Sequence, residues 1–267
     1  MALALGCLAP GSMVIAAHPD DETIGAGLLL ARSRECAVVH LTDGVPREPA
    51  LWPVHLRQAG CLAYAAQRRR EAEAALRRAG VSPAAIFPLG GRDQEAVLEV
   101  PRLAFALAKL WKRARPPEVV VHPYEGGHPD HDAASLAAHL AVALLLEAGA
   151  TPPALIEMTS YHAANGTLVT GGFLGGGQDE QMLAPGPAEV DRKQAMLEAH
   201  SSQAEVLNAF SPAVPERFRP APAYDFLRAP HEGELWYEKQ RWMRGEDWRR
   251  AAALAMELLG IGEATCL

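Results

Sequence analysis

Short apolar runs alternate with helix-length segments through the first 160 residues, and the connections between them are too long for hairpins. SMVIAA (12–17), CAVVHLT (36–42), AIFPLG (85–90), EVVVHP (118–123) and ALIEMTSYH (154–162) read as strands. TIGAGLLLARS (23–33), RRREAEAALRRAG (68–80), VPRLAFALAKLWKRA (100–114) and HDAASLAAHLAVALLLEAG (131–149) read as the helices between them. Strands that are apolar on both faces and reconnect through helices belong in a parallel sheet covered on both sides. The fold class expected is therefore α/β, a Rossmann-like, mostly parallel sheet. In such sheets ligands bind outside the carboxyl ends of the strands, where the strand order reverses.

Beyond residue 163 the rhythm weakens. NGTLVTGGFLGGG (165–177) reads as a glycine-rich hairpin or lid, EVDRKQAMLEAHSSQ (189–203) as a helix, 212–230 as a proline-rich surface wrap, and 239–260 as one or two terminal helices. The expected division is a Rossmann-like domain over 1–205 and a smaller carboxyl-terminal extension over 206–267 that packs on it.

Two clusters of histidine and acid stand at strand ends. AHPDDE (17–22) follows the first strand, and HPYEGGHPDHD (122–132) follows the fourth. If the fourth strand neighbours the first across the switch point, the clusters meet. Taken singly, each residue has an ordinary use: Asp20 or Asp21 caps the helix at 23, Asp130 caps the helix at 131, and His18 is a hydrogen-bonded core histidine. Those uses would have to coincide at two strand ends, each with a metal-competent side chain.

The clusters instead suit a hydrolytic metal site, which needs about three N or O ligands and an open position for water. His18 and Asp21 would come from one turn, with Pro19 holding His18 extended, and His131 would come from the start of a helix. A bound cation lowers the pKa of water from about 15.7 towards about 7, and Asp20 beside it would accept the proton. A protonated His128, paired with Asp130 and so charged to higher pH than a free imidazole, would meet the tetrahedral oxyanion. Glu22 reads as an acid at the positive end of the helix dipole.

AHPDDE with GGHPDHD about 110 residues later resembles the PIG-L/LmbE family of metal-dependent N-deacetylases, over roughly residues 10–205. The resemblance implies hydrolysis of the acetamide on an N-acetylglucosamine-type sugar, with His18, Asp21 and His131 as ligands. It makes Asp20 the general base and His128 the oxyanion stabiliser that also protonates the leaving amine, tuned by Asp130. It also implies that Arg68 with Glu71, Asp93 and His200, with Gln203, contact the sugar; Arg68 otherwise reads as part of a solvated arginine face beside Arg69 and Arg70. Zn2+ suits the mixed ligand set, and Fe2+ would fit the same residues. An amidase for a larger N-acyl or thiol-conjugate group, and a non-catalytic carbohydrate binder, are the alternatives.

Composition narrows the partners. A net charge of -7 with scattered basic residues argues against nucleic acid, and no apolar run reaches the ~18–20 residues of a membrane span. Four cysteines without CxxC indicate neither a disulfide framework nor a thiolate zinc site, and a reducing cytoplasm fits. MALALGCLAPGS lacks a basic start and meets Pro10 too soon for a signal peptide. The first turn lacks the glycines that would receive a dinucleotide pyrophosphate. The partner expected is a small N-acetyl amino sugar, and the sequence leaves room for a homo-oligomer.

Overall fold

Each residue of the run Met13–Ala16 is buried, as a strand covered on both faces requires, and the same holds for Glu118–Val121. The computed structural model describes residues 6–175 and 179–261. Its first half alternates β1 (Met13–Ala16), α1 (Asp21–Arg32), β2 (Ala37–Thr42), α2 (Cys61–Arg78), β3 (Ile86–Gly91), α3 (Val100–Ala114), β4 (Glu118–Val121), α4 (Pro129–Glu147) and β5 (Ala154–Met158). Then follow the hairpin β6 (Tyr161–Ala164) and β7 (Thr167–Thr170), β8 (Gln181–Leu183), α5 (Pro187–Ala199), α6 (Ala204–Leu207), β9 (Glu216–Pro220), α7 (Trp236–Lys239) and α8 (Gly245–Leu258).

The main sheet has seven strands in the order β3-β2-β1-β4-β5-β9-β8. The first five are parallel, and β9 and β8 extend the edge in antiparallel pairing. The strand order reverses between β1 and β4, so the chain places its two acid-and-histidine clusters side by side at the crevice where such sheets bind ligands. Alternate strand residues divide the core into two layers. Ile15, Val39, Leu41, Val119 and Val121 pack with α3, α4 and α8; Val14, Val38, Val120, Ile156 and Met158 pack with α1, α2 and α5.

Two differences from the sequence reading have local causes. The run 154–162 is not one strand: Ser160 accepts the Gly171 N–H, and the chain turns into the β6–β7 hairpin. That hairpin turns at Asn165-Gly166, both at positive φ. The glycine-rich segment thus begins as a hairpin, and its residues 176 and 177 lie outside the described residues. The stretch after 205 also supplies β9 inside the main sheet and α8 over its α3 side.

Helix α1 passes unusually close to its neighbours. A Cβ on Gly25 would stand 2.9 Å from the Thr159 carbonyl oxygen, which explains small residues on that side. Glu216 accepts the Leu28 and Leu29 N–H groups at 2.7 and 2.9 Å, while Lys193 donates to Glu216 at 2.6 Å and to the Ile24 carbonyl at 2.8 Å. A buried ion pair thereby reaches into the helix ladder, at the Leu28 N–H and at the Ile24 carbonyl that Leu28 ordinarily bonds. Glu216→Ala leaves the Lys193 ammonium and two helix amides buried without this partner. The expected cost is about 3–5 kcal/mol, read from the urea midpoint at unchanged m; a loss under about 1 kcal/mol contradicts it.

Candidate active site

Pro19 turns the chain directly after β1, and α1 starts at Asp21, so His18, Asp20 and Asp21 leave one tight turn at the sheet's carboxyl end. The second cluster is fixed in a comparable way after β4. Gly127 presses its backbone against Tyr161, where a Cβ would lie 1.9 Å from the carbonyl oxygen. His128 is the N-cap of α4, its Nδ1 accepting the Asp130 N–H at 3.1 Å.

The two turns meet in a buried network. His18 Nδ1 lies 3.1 Å from Asp21 Oδ2, and its Nε2 lies 3.1 Å from Asp130 Oδ2 and 3.3 Å from Asp93 Oδ1. His131 Nε2 is 3.1 Å from Asp21 Oδ1. Asp130 also accepts the Gln94 and Ala96 N–H groups at 2.6 and 3.0 Å, binding the loop after β3 to the site. Neither Asp20 nor Asp130 caps a helix with its side chain.

Charge follows from this packing. Burial alone would lower His18, yet Asp93, Asp21 and Asp130 hold it well above the usual imidazole range. Burial would raise Asp21, but His131, His122 and His18 pull it well below the carboxylate range. Asp20 is raised by burial, opposed by the Arg68 guanidinium at 2.9 Å. Burial likewise raises Asp130 against His18.

His128 departs from expectation. Its Nδ1 takes a backbone N–H, Asp130 Oδ2 stands 4.0 Å away, and burial together with the charges of His18 and His131 pushes its pKa well below the usual value. The geometry differs from the expected pairing with Asp130: with Nδ1 accepting a backbone N–H, a neutral His128 would carry its proton on Nε2 and act there as a hydrogen-bond donor.

Donor atoms for a divalent cation are present. Ring and carboxylate atoms of His18, His128 and His131, of His18, Asp93, His128 and Asp130, and of Asp21, His122 and His131 lie within 4.8 Å of one another in each set. His131 Nε2 and Asp93 Oδ1 are buried without a hydrogen bond, the situation a cation would relieve. His122 fits less well, because its Nε2 already accepts the Ala17 N–H at 3.1 Å. Neutral N and O donors with carboxylates suit zinc or ferrous iron, and the group fits.

The expected sugar contacts land elsewhere. Arg68 is buried while Arg69 and Arg70 are exposed, and its guanidinium donates to the Gly44 carbonyl, the Pro19 carbonyl and Asp20. It holds the turn and the acid instead of offering a free fork to substrate. Glu71 accepts from Ser201 Oγ and from Ser202 N and Oγ, tying α2 to the segment after α5. Gln203 donates to the Tyr64 hydroxyl. His200 is fully buried, 3.3 Å from Thr23 Oγ1, and supports the start of α1 without a surface for substrate. Asp93 does enter the site. Glu22 is more than a helix-start acid, since it pairs with His40 at 3.2 Å and accepts the Asp20 N–H.

Sequence reasoning missed the aromatic walls. Tyr161 lies 5.1 Å from the His131 ring and Trp242 lies 4.8 Å from the His128 ring, ring centre to ring centre. Ser160 Oγ lies 3.3 Å from His131 Nδ1. Ser160 also lines a small pocket partly open to solvent, with Ile24, Lys193, Leu197 and Phe210. The only signal for Trp242 was the even placement of Trp236, Trp242 and Trp248.

Solved structures share this fold. A deacetylase of teicoplanin biosynthesis shares the fold at TM-score 0.56 and 18% identity, covering 78% of this chain and 96% of that one. N,N'-diacetylchitobiose deacetylase from Pyrococcus horikoshii matches at 0.55 and 23%, covering 79% and 83%. So does 4-carboxy-2-hydroxymuconate hydratase GalB from Pseudomonas putida KT2440, at 0.53 and 17%, covering 85% and 99%. At these identities the likeness concerns the fold, which hosts more than one chemistry. No match was found among curated protein sequences. The family model described as PIG-L, GlcNAc-PI de-N-acetylase, matches residues 13–142 and so takes in both clusters. Residues 13–142 are a domain of the PIG-L family of de-N-acetylases.

Proposed function

We propose that the chain is a metal-dependent hydrolase that removes the N-acetyl group from an N-acetylglucosamine-type amino sugar or its conjugate, releasing acetate and a free amine. The observation that carries this reading is Asp20, a buried acid with a raised pKa, beside a set of histidines whose ring nitrogens lie within 4.8 Å of one another.

His18, Asp21 and His131 would hold a divalent cation, zinc for preference. When bound, that ion supplies Lewis acidity to the amide carbonyl and lowers the pKa of a water. Asp20 accepts a proton from the attacking water, and a carboxyl raised toward neutrality is matched to that task. His128, neutral and protonated at Nε2, donates to the developing oxyanion. Asp20, now carrying the proton, returns it to the departing amine. Asp130 orients the pocket by fixing the loop that carries Asp93, and Asp93 is placed to accept from a sugar hydroxyl.

A larger acyl group is the second reading, favoured by the pocket that Ser160 lines, next to His131. No helix of the described residues is long and apolar enough to cross a membrane. The test is release of free amine from N-acetyl, N-butyryl and N-octanoyl glucosamine and their β-glycosides. Fastest cleavage of the acetyl compounds is expected; faster cleavage of the longer acyl groups selects the second reading, and no amide cleavage from any compound overturns both.

A further inference from the structure

The segment after β9 reaches back over the second motif. The Trp236 N–H donates to the Gly126 carbonyl at 2.9 Å, and Trp248 Nε1 donates to the Pro129 carbonyl at 2.9 Å, so HPDH is clamped from the carboxyl-terminal side. Between these two anchors stands Trp242, its indole 4.8 Å from the His128 ring at 49°. Trp248 is fully buried, whereas Trp242 is partly exposed where it packs on the His128 ring.

The turn that carries Trp242 is firmly built. Glu238 accepts the Leu235 N–H with Oε2 at 3.0 Å and the Gly245 N–H with Oε1 at 2.7 Å, closing the loop on itself. The Trp242 N–H donates to the Tyr237 carbonyl at 3.0 Å, and Arg241 takes a positive φ of 61° to turn the chain there. A partly exposed tryptophan held in this way, against the proposed oxyanion donor and outside the buried core clusters, is not explained by core packing alone.

We propose that Trp242 is a substrate-binding residue: its indole forms the wall on which the apolar face of a pyranose ring packs while His128 addresses the amide. This rests on the deacetylase reading of the same site and assigns the substrate class as a cyclic N-acyl amino sugar rather than an acyclic acetamide. A pyranose presents a face of C–H groups between polar edges, and the indole offers a large rigid apolar surface that needs little ordering on binding. Acyclic amides lack such a face and gain little from it.

The test compares full-length wild type with W242A, W242L and W242F on methyl N-acetyl-β-glucosaminide and on N-acetylethanolamine. W242A is expected to raise KM for the glucosaminide roughly 10- to 100-fold with kcat changed by less than about 3-fold. W242L, apolar and larger than alanine but without a ring, should fall with W242A, and W242F should recover most of the loss. The loss in kcat/KM on N-acetylethanolamine should be several-fold smaller. An unchanged KM for the glucosaminide, or equal losses on both substrates, overturns the proposal and leaves the deacetylase reading standing. If wild type cleaves neither substrate, saturation-transfer NMR of the glucosaminide decides: weaker transfer with W242A and W242L supports the wall, and equal or absent transfer overturns it.

Discussion

Asp20→Asn is expected to lower kcat/KM for N-acetyl amino sugars by about 100- to 10,000-fold, the range that general-base catalysis contributes. The substitution keeps the size of the side chain and an oxygen for Arg68, 2.9 Å away, so the turn between β1 and α1 should persist. It removes only the group that can take a proton. Metal content is expected to stay at the wild-type ratio, because the proposed ligands His18, Asp21 and His131 are untouched. Some stability will be lost, since Arg68 donates to Asp20 while buried, and a urea titration separates that from the catalytic effect.

The pH profile carries the same information with a definite sign. Asp20 acts as a base only when ionised, so activity falls as pH drops through its pKa. Burial raises that pKa and Arg68 opposes the rise, while a bound cation would lower it, so the limb is assigned to Asp20 by its loss in the variant and not by its position. Measured at saturating metal, so that proton competition at His18 adds no limb of its own, the residual activity of Asp20→Asn should lack this limb. Full activity in the variant, or an unchanged acid limb in its residual turnover, removes Asp20 as the base.

Metal removal is the second large effect, and it is argued from charge. Asp20, Asp21, Asp93 and Asp130 are all buried around His18. Arg68 neutralises one of them, and the remaining carboxylates raise His18 well above the usual range, so in the metal-free protein an imidazolium provides the missing positive charge. A divalent ion would take over that role and displace the proton. Binding should therefore release protons and strengthen as pH rises, since below the raised His18 pKa the proton competes with the ion. With the ion gone, the pocket still holds a base and an oxyanion donor but loses the group proposed to activate the water, and turnover is expected to disappear.

Much of the scaffold could be read in the chain because strand burial writes itself as apolar runs such as MVIA, and because the β1–β4 adjacency follows from the usual order of such sheets. The clustering of His18, Asp20, Asp21, His128, Asp130 and His131 was legible for the same reason: each stands within a few residues of a strand end. Contacts made between helices and between distant segments were not. Arg68 differs from Arg69 and Arg70 only by which way α2 faces, while Glu71 braces the segment after α5 and His200 the start of α1. The tautomer of His128 depends on a backbone N–H at its Nδ1, which no residue pattern specifies. Trp242 comes from a stretch with no periodic link to the motifs it packs on, and β9 joins the sheet by an antiparallel pairing across 60 residues from β5.

The most direct test is acetate release from N-acetylglucosamine conjugates by the full-length protein before chelation, after exhaustive chelation, and after stoichiometric zinc or ferrous iron is returned. The account predicts turnover that vanishes with the metal and returns with about one equivalent per chain. Unchanged acetate release from protein shown by elemental analysis to hold no metal would contradict it.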